Sequence, residues 1–304
     1  MRHGDAGLEY ATLDVGGMRR GYWLARAPVT RGPLLVMLHG SGTSGKNVAE
    51  VFTGLATRAP AAGVTAVFPD GWRGVWHITR APAEVPDLDD VAFLVTLVNQ
   101  LSPAPVVLAG ISNGAGFAEH VARYGLLPLA GLFLVAGTIR EYSRNGQPVP
   151  RQRTAVTIMA GTGDPAVNYD GGPLRVSGVP GWIMRRRAAR HGDLMSERRT
   201  APVETVARDW AAGNGIGGDP VVSQLRVAAG DPAVSLLTWA APGCPPVALY
   251  RIEGGGHGWP GGPQYVPARI IGPIPRHLDA TGILLDMVAA VSDDGVAPSG
   301  LEKR

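Results

Sequence analysis

The sequence predicts an α/β fold in which helices cover both faces of a mostly parallel sheet. Short, continuous apolar runs recur through the first half of the chain, as expected of strands that are buried on both faces. They alternate with segments of helical periodicity that are long enough for right-handed crossover connections. The apolar runs are residues 33–39, 63–70, 105–112, 129–137 and 154–161. The chain has 304 residues, of which 45% are hydrophobic, and this suffices for one large core.

Local patterns predict the remaining elements. Two alternating stretches around Gly16-Gly17 indicate a β-hairpin over 8–25. The helix over 87–102 begins with acidic residues, which favour the positive end of the helix dipole. Further helices are predicted over 49–59, 201–215 and 279–292, and the last strands over 221–230, 233–241 and 247–257.

The alternation of strands and helices is lost after about residue 172. The following stretch is rich in Gly, Pro and Arg and includes the run MRRRAARHG. We expect a single domain over 1–304, with residues 173–215 inserted before the last strands as a candidate lid. Trp182 is a large apolar residue of this insertion and a candidate wall of a substrate pocket.

Composition excludes several classes of protein. The formal net charge is only +3, and the basic residues are nearly all arginine, so we expect no nucleic-acid partner. No apolar run is long enough to cross a bilayer. Cys244 is the single cysteine, which excludes an intrachain disulfide. The first residues lack the apolar core of a signal peptide, so we expect a cytoplasmic protein, or an extracellular one if a leader has been removed.

Ser112 lies between two close glycines at a junction of strand and helix. The run VVLAGISNGAGFAEH passes from an apolar strand through Gly110-Ile-Ser-Asn-Gly114 into a small-residue helix. Glycines and serine are also ordinary turn residues. In a G-x-S-x-G nucleophile elbow, however, the residues two positions on either side of the serine must lack bulk, because the turn is very tight. The pattern therefore predicts that the Ser112 hydroxyl stands above the edge of the sheet.

The glycine-rich stretch LHGSGTSGKN allows three interpretations. Gly40, Gly42 and Gly45 fit a dinucleotide-binding fingerprint, with Asp70 ending the next strand. The stretch also nearly fits a phosphate-binding P-loop, although Asn47 stands where a magnesium-binding Ser or Thr belongs. Alternatively, the turn forms an oxyanion hole from the backbone N–H groups of Ser41 and Asn113. An oxidoreductase or an NTPase therefore remains an alternative to a hydrolase.

An acid and a base follow Ser112 in the order that elbow hydrolases require. Asp164 comes directly after an apolar strand, and His257 follows a strand and three glycines. His257 would take the proton of Ser112, and Asp164 would hold the imidazole in the required tautomer. Asp170 and Asp279 are rival acids, but Asp170 lies farther from the strand and Asp279 comes after the histidine. We expect no cofactor and no metal, because the histidines do not pair at ligand spacing.

The motifs, taken together, resemble those of a known family. The segments PLLVMLHGSG, VFPDG, DLDDVAFL, GISNGAG, AGTGDPAVNYDGG, ETVARDWAAGNG and LYRIEGGGHGWPGG follow one another over roughly residues 20–292. This succession resembles the polyhydroxybutyrate depolymerase and feruloyl esterase-like branch of the α/β-hydrolases. The resemblance implies an α/β-hydrolase fold with Ser112 as nucleophile, Asp164 as acid and His257 as base. It implies as substrates the esters of hydroxyacid oligomers, feruloyl sugars or acetylated xylan.

The function predicted from the sequence is a serine carboxylesterase that acts on a small or oligomeric ester. A serine peptidase on the same fold is an alternative, since the same three side chains serve both reactions. Trp76 and Trp259 are further candidates for the pocket wall, because Trp76 follows the strand that ends at Asp70 and Trp259 lies close to His257. The sequence does not indicate an oligomeric state.

Overall fold

The computed structural model describes residues 7–28, 33–78, 85, 87–102, 105–138, 149–174, 199–226 and 230–293. Its centre is a ten-stranded sheet with the order β1-β2-β4-β3-β5-β6-β7-β12-β11-β10. The strands from β3 to β7 and β12 run parallel, whereas β1, β2, β10 and β11 pair antiparallel at the two edges. The predicted mostly parallel sheet is therefore confirmed.

The strands fall close to the predicted apolar runs. They are β1 Leu8–Val15, β2 Met18–Ala25, β3 Leu35–Leu38, β4 Ala66–Pro69, β5 Val106–Ile111, β6 Leu129–Val135, β7 Ala155–Gly161, β8 Gly172–Pro173, β9 Arg199–Thr200, β10 Val221–Leu225, β11 Val234–Trp239 and β12 Val247–Ile252. The predicted hairpin is β1–β2, whose turn residues Gly16 and Gly17 both adopt positive φ. β8 and β9 form a separate antiparallel pair.

The helices cover both faces of the sheet. They are α1 Gly45–Asn47, which continues into a π-helical turn over Val48–Phe52, α2 Leu55–Ala61, α3 Asp90–Leu101, α4 Asn113–Arg123, α5 Val203–Gly213, α6 Ala268–Ile271 and α7 Ala280–Asp293. Helices α3, α4 and α5 pack on one face, with Phe93, Phe117 and Trp210 in their core. The π-helical turn, α2 and α7 pack on the other. Within the described part of the chain, no helix is long and apolar enough to cross a membrane.

Two helices differ in detail from those predicted, one in its continuity and the other in the role of its first acidic residues. The single helix expected over 49–59 is broken at Gly54, whose φ of 65° lies in the left-handed region and separates the π-helical turn from α2. Asp89 caps α3 by accepting the Ala92 N–H, as expected of a helix start. Asp90, by contrast, is buried and pairs with Arg20 and His77. Burial raises the pKa of Asp90, but the hydrogen bonds from His77 and the charge of Arg20 outweigh it and lower that pKa.

The predicted lid is too long at its C-terminal end. Within 173–215, helix α5 covers the sheet, and its Val206 and Trp210 side chains are fully buried. This part of the prediction is wrong, because the helix belongs to the core and the irregular composition precedes it. Residues 175–198, including Trp182, lie outside the described residues. The β8–β9 pair brings the two ends of this segment together, on the loop that follows Asp164.

Candidate active site

Ser112 occupies a strained turn between β5 and α4. Its φ of 55° and ψ of −118° are rarely adopted by a non-glycine residue, and such strain costs on the order of 1–3 kcal/mol. Hydrogen bonds fix the turn on both sides: the Ser112 N–H donates to Val135 O at 2.9 Å, and the Gly116 N–H donates to Ser112 O at 3.0 Å. The serine is therefore held at the carboxyl edge of the sheet, as the elbow pattern predicts.

Both flanking glycines of the elbow are required by close backbone contacts. A Cβ added at Gly110 would lie 2.5 Å from the carbonyl of Gly114, and one added at Gly114 would lie 2.5 Å from Leu38 O and 2.6 Å from His39 O. Cβ atoms do not come this close to backbone atoms that cannot move. The elbow thus packs directly against the end of β3.

Ser112, His257 and Asp164 form a continuous hydrogen-bonded chain. The Nε2 atom of His257 lies 2.9 Å from Ser112 Oγ, and its Nδ1 atom lies 2.7 Å from Asp164 Oδ2. The other oxygen of Asp164 accepts the N–H groups of Ala166 and Val167 at 2.8 and 2.9 Å. A carboxylate can only accept a hydrogen bond, so in the neutral imidazole Nδ1 carries the proton and donates it in a hydrogen bond to Asp164. Nε2 then presents a free lone pair to the serine hydroxyl.

The rival acids lie elsewhere. Asp279 forms a two-point ion pair with Arg58, and that hydrogen bonding lowers the pKa of Asp279. Asp170 is exposed on the loop beyond Asp164. Of these aspartates, Asp164 is the one that the structure places against His257.

The turn after β3 lies beside the serine. A Cβ added at Gly40 would lie 3.4 Å from Ser112 Cβ. The Gly42 N–H donates to Gly74 O at 2.8 Å, whereas in the described part of the chain the Ser41 N–H has no acceptor. Asn113 is the first residue of α4, where backbone N–H groups lack acceptors within the helix. The two N–H groups predicted for an oxyanion hole therefore lie next to Ser112, and neither has an acceptor among the described residues.

The same turn does not fit a nucleotide phosphate. The carboxylate of Asp70 accepts the Gly45 N–H at 2.7 Å and so occupies the start of α1 with a negative charge. Gly45 also packs directly against the carbonyl of Phe68. An anion at this position would meet a carboxylate instead of free N–H donors. The structure thus disfavours the dinucleotide-binding and P-loop interpretations.

His39 and Trp76 support the elbow from inside the core. His39 accepts the Gly71 N–H at Nε2 and therefore donates from Nδ1 to Gly40 O at 2.7 Å. Trp76 pairs through its backbone with the side-chain amide of Asn113 at 2.8 and 3.1 Å, and its indole N–H donates to His39 O. Because that amide is engaged, Asn113 offers the cleft its backbone N–H.

The predictions that Trp76 and Trp259 line the pocket are wrong. Trp76 is 0% exposed and stacks on Phe117, and Trp259 is 2% exposed and packs against Phe133. Their large apolar rings are accommodated in the two cores behind the site, Trp76 in one and Trp259 in the other. Trp182, the third predicted pocket residue, lies outside the described residues.

The cleft above Ser112 has a volume of about 360 Å³ and includes wall residues that sequence reasoning missed. Its described lining consists of Gly40, Ser41, Gly42, Thr43, Asn47, Phe52, Ile111, Ser112, His257 and Tyr265. In the sequence, Phe52 occupies an ordinary apolar position of the helix predicted over 49–59. Tyr265 lies in an irregular loop, GWPGGPQYVP, whose nearness to His257 in sequence was the one available signal.

The hydroxyl of Thr43 is unusual among these lining groups. Its oxygen is inaccessible to solvent, and it has no hydrogen-bond partner within the described part of the chain. An unpaired buried hydroxyl costs on the order of 1–3 kcal/mol. Thr43 therefore lines the cleft, but its hydroxyl oxygen is covered and not presented to it.

The chain is similar in sequence and in fold to proteins described as esterases. The chain matches no protein-family model. It is 29% identical over 300 residues to "Putative esterase NocK" of Nocardia uniformis subsp. tsuyamanensis, across 93% of this chain and 83% of that protein. It superposes on acetyl xylan esterase from Aspergillus awamori with a TM-score of 0.54 and 13% identity, across 92% of this chain and 99% of that one.

The sheet order, the crossover helices and the superposition together define an α/β-hydrolase fold. The predicted fold class is therefore confirmed. The resemblance to the polyhydroxybutyrate depolymerase and feruloyl esterase-like branch stays a prediction.

Proposed function

We propose that this protein is a serine carboxylesterase that works through an acyl-enzyme intermediate. The observation that carries the proposal is the chain of hydrogen bonds from Ser112 Oγ through His257 to Asp164, at 2.9 and 2.7 Å. The strained elbow and the two free N–H groups beside it support the same chemistry. The similarity to a protein described as an esterase points in the same direction.

In the acylation step, Ser112 Oγ attacks the ester carbonyl carbon while its proton passes to His257 Nε2. The carbonyl oxygen becomes an oxyanion, which accepts hydrogen bonds from the backbone N–H groups of Ser41 and Asn113. Asp164 stabilises the imidazolium that forms. When the tetrahedral intermediate collapses, the carbon–oxygen bond to the alcohol breaks and His257 returns the proton to the leaving oxygen.

In the deacylation step, water replaces the alcohol. His257 takes a proton from the water, the hydroxide attacks the acyl carbon, and the bond to Ser112 Oγ breaks as the serine regains its proton. The products are the carboxylic acid, the alcohol and the free enzyme. Each step uses only the three side chains, the two N–H groups and water, so we propose no cofactor.

The first test is the dependence of ester hydrolysis on Ser112. Ser112→Ala should lower the rate on p-nitrophenyl acetate and butyrate by several orders of magnitude and leave the thermal unfolding midpoint nearly unchanged, because alanine keeps the Cβ and the same backbone conformation. A fluorophosphonate probe should add its mass to the wild type and not to Ser112→Ala. Ser223→Ala, at an exposed serine of β10, is the control and should behave like the wild type.

Substrate class is tested with the same protein. Methyl ferulate, a soluble hydroxybutyrate oligomer and acetylated xylan represent the three ester classes that the sequence resemblance implies.

Retention of activity by Ser112→Ala would contradict the mechanism. Saturable micromolar binding of NAD, NADP or ATP in calorimetry would revive the nucleotide-binding alternative.

A further inference from the structure

Two aromatic side chains form one wall of the cleft. The rings of Phe52 and Tyr265 meet nearly edge to face, with centroids 4.8 Å apart, and both line the cleft with Ser112. Tyr265 remains 40% exposed, which is high for a large side chain beside a catalytic group. Aromatic rings at the wall of a concave site offer apolar area that a ligand can cover. We call Phe52 and Tyr265 the aromatic wall.

A π-helical turn sets the position of Phe52. The turn spans Val48–Phe52, and both the N–H and the hydroxyl of the next residue, Thr53, donate to Val48 O at 3.1 and 2.6 Å. Such wide turns are rare and occur frequently at functional sites. The extra residue in the turn changes the direction in which Phe52 leaves the backbone, compared with a continuous α-helix.

A buried relay of hydrogen bonds joins this turn to the loop of His257. The Thr281 hydroxyl donates to Thr53 O at 2.8 Å and accepts the indole N–H of Trp259 at 2.9 Å. The carbonyl of Phe52 also packs on Gly262, where an added Cβ would lie 2.6 Å away. The two halves of the aromatic wall are thus held in one arrangement, although they come from opposite ends of the chain.

The hydroxyl of Tyr265 has a separate contact with the catalytic loop. It donates to the backbone carbonyl of His257 at 3.0 Å. Burial, with the nearby charge of Asp164, raises the pKa of Tyr265, so the hydroxyl keeps the proton that this bond needs. The ring of Tyr265 and its hydroxyl can therefore be separated by experiment.

We propose that the aromatic wall selects the alcohol part of the ester, and that the Tyr265 hydroxyl is a positioning group for His257. This proposal rests on the esterase function proposed above. During acylation His257 must return its proton to the alcohol oxygen, so the alcohol leaves on the side of the cleft where His257 lies. Tyr265 adjoins His257 on that side. Esters of apolar alcohols larger than methanol are the substrates that this wall fits.

The selectivity test varies the alcohol and the acyl group separately. The ratio of kcat/KM for hexyl acetate to methyl acetate should fall tenfold or more in Phe52→Ala. The ratio for methyl hexanoate to methyl acetate should stay within about twofold, a change of less than 0.5 kcal/mol. Phe52→Leu keeps apolar bulk and should show a smaller fall, which preserves the measurement if Phe52→Ala does not fold. Val51→Ala, at the exposed neighbour on the same turn, is the control.

The positioning test removes the Tyr265 hydroxyl alone. Tyr265→Phe should lower kcat about tenfold for both hexyl and methyl acetate, with KM and the ratio between them unchanged, an effect of about 1.4 kcal/mol on the barrier. Tyr169→Phe is the matched control. The Tyr169 hydroxyl also makes a 3.0 Å bond, but to Glu204, away from the cleft, so its loss should leave kcat unchanged.

The outcomes separate this inference from the proposed function. A wild type that neither hydrolyses methyl acetate nor reacts with the fluorophosphonate probe would overturn the esterase itself. If that activity is present, a fall confined to the acyl series, or no fall in either series, overturns the assignment of the wall to the alcohol. An unchanged kcat in Tyr265→Phe overturns the positioning role.

Discussion

Both sides of the cleft follow neighbouring strand ends, but Ser112 is held by the tight turn in which it lies, whereas His257 is oriented by a hydrogen bond to a second side chain, Asp164. The elbow and the Gly40 turn follow β5 and β3, which are adjacent in the sheet, and they touch through backbone atoms. His257 lies in a loop held by bonds from its N–H to Ile271 O and from Tyr265 to its carbonyl. The chemistry of Ser112 is therefore tied to the packing of its turn, whereas that of His257 also depends on a side-chain bond to Asp164 that can be altered without changing the backbone.

Asp164→Asn alters the hydrogen bond that orients His257 and should have the largest effect on rate of the substitutions outside Ser112. The asparagine oxygen can still accept the N–H groups of Ala166 and Val167, but its NH₂ group would donate to His257 Nδ1 and force the proton onto Nε2. We expect kcat to fall by about 10³–10⁴ with the unfolding midpoint within a few degrees of the wild type. Asp170→Asn is the control, and an equal loss in both variants would contradict the assignment of the acid.

Gly114→Ala disrupts the backbone packing of the elbow and should have the largest effect on stability. The new methyl group would meet the carbonyls of Leu38 and His39, which belong to a central strand end and cannot move aside. We expect a loss of about 3 kcal/mol or more in urea unfolding, together with loss of activity.

Gly116→Ala is the matched control for that substitution. Gly116 lies on the same helix, but an added Cβ would find its nearest neighbour, Thr138 O, at 3.4 Å. Since alanine favours a helix over glycine by roughly 0.5–1 kcal/mol, this variant should be neutral or slightly more stable. Equal destabilisation by both substitutions would show that the contacts of the elbow are not what requires glycine.

Thr43→Val tests the buried hydroxyl in the wall of the cleft. Because the Thr43 hydroxyl is buried without a partner in the described part of the chain, replacing it by a methyl group should raise stability slightly. Since that oxygen is covered, the same variant should keep kcat/KM within about twofold of the wild type, a change of less than 0.5 kcal/mol. Thr43→Ser keeps the hydroxyl and should retain activity. A tenfold lower kcat/KM in Thr43→Val, restored in Thr43→Ser, would show instead that the hydroxyl contacts the substrate.

The smallest expected effect concerns pH. Burial lowers the pKa of His39 below its ordinary value of 6.5, so the folded protein keeps this imidazole neutral while the unfolded chain protonates it. The unfolded state then binds more protons, and stability should fall as the pH drops below about 6.5. In His39→Asn the part of this slope due to His39 should disappear, as measured by thermal unfolding between pH 5 and 7. His120, whose pKa burial also lowers, provides the comparison variant His120→Gln.

Sequence reasoning worked best where function depends on local backbone geometry. The positions of Gly110 and Gly114 around Ser112 reflect contacts within one tight turn, and short apolar runs are sufficient to locate buried strands. The same reasoning failed for Trp76, Trp259 and the extent of the lid. Whether a tryptophan faces a cleft or a core depends on which distant element covers it, and no local pattern contains that information.

Sequence patterns were sufficient to predict the sheet, the elbow and the chain order of serine, acid and histidine, because strand periodicity and glycine requirements act over a few residues. The packed structure was needed to show which aspartate contacts His257, that Asp70 closes the start of α1 to a phosphate, and that Phe52 and Tyr265 form one wall. Each of these contacts joins residues separated by 25 positions or more, such as Asp164 and His257, which are 93 apart. Such pairs form only when the sheet brings its strand ends together, so their identity is a property of the packed molecule.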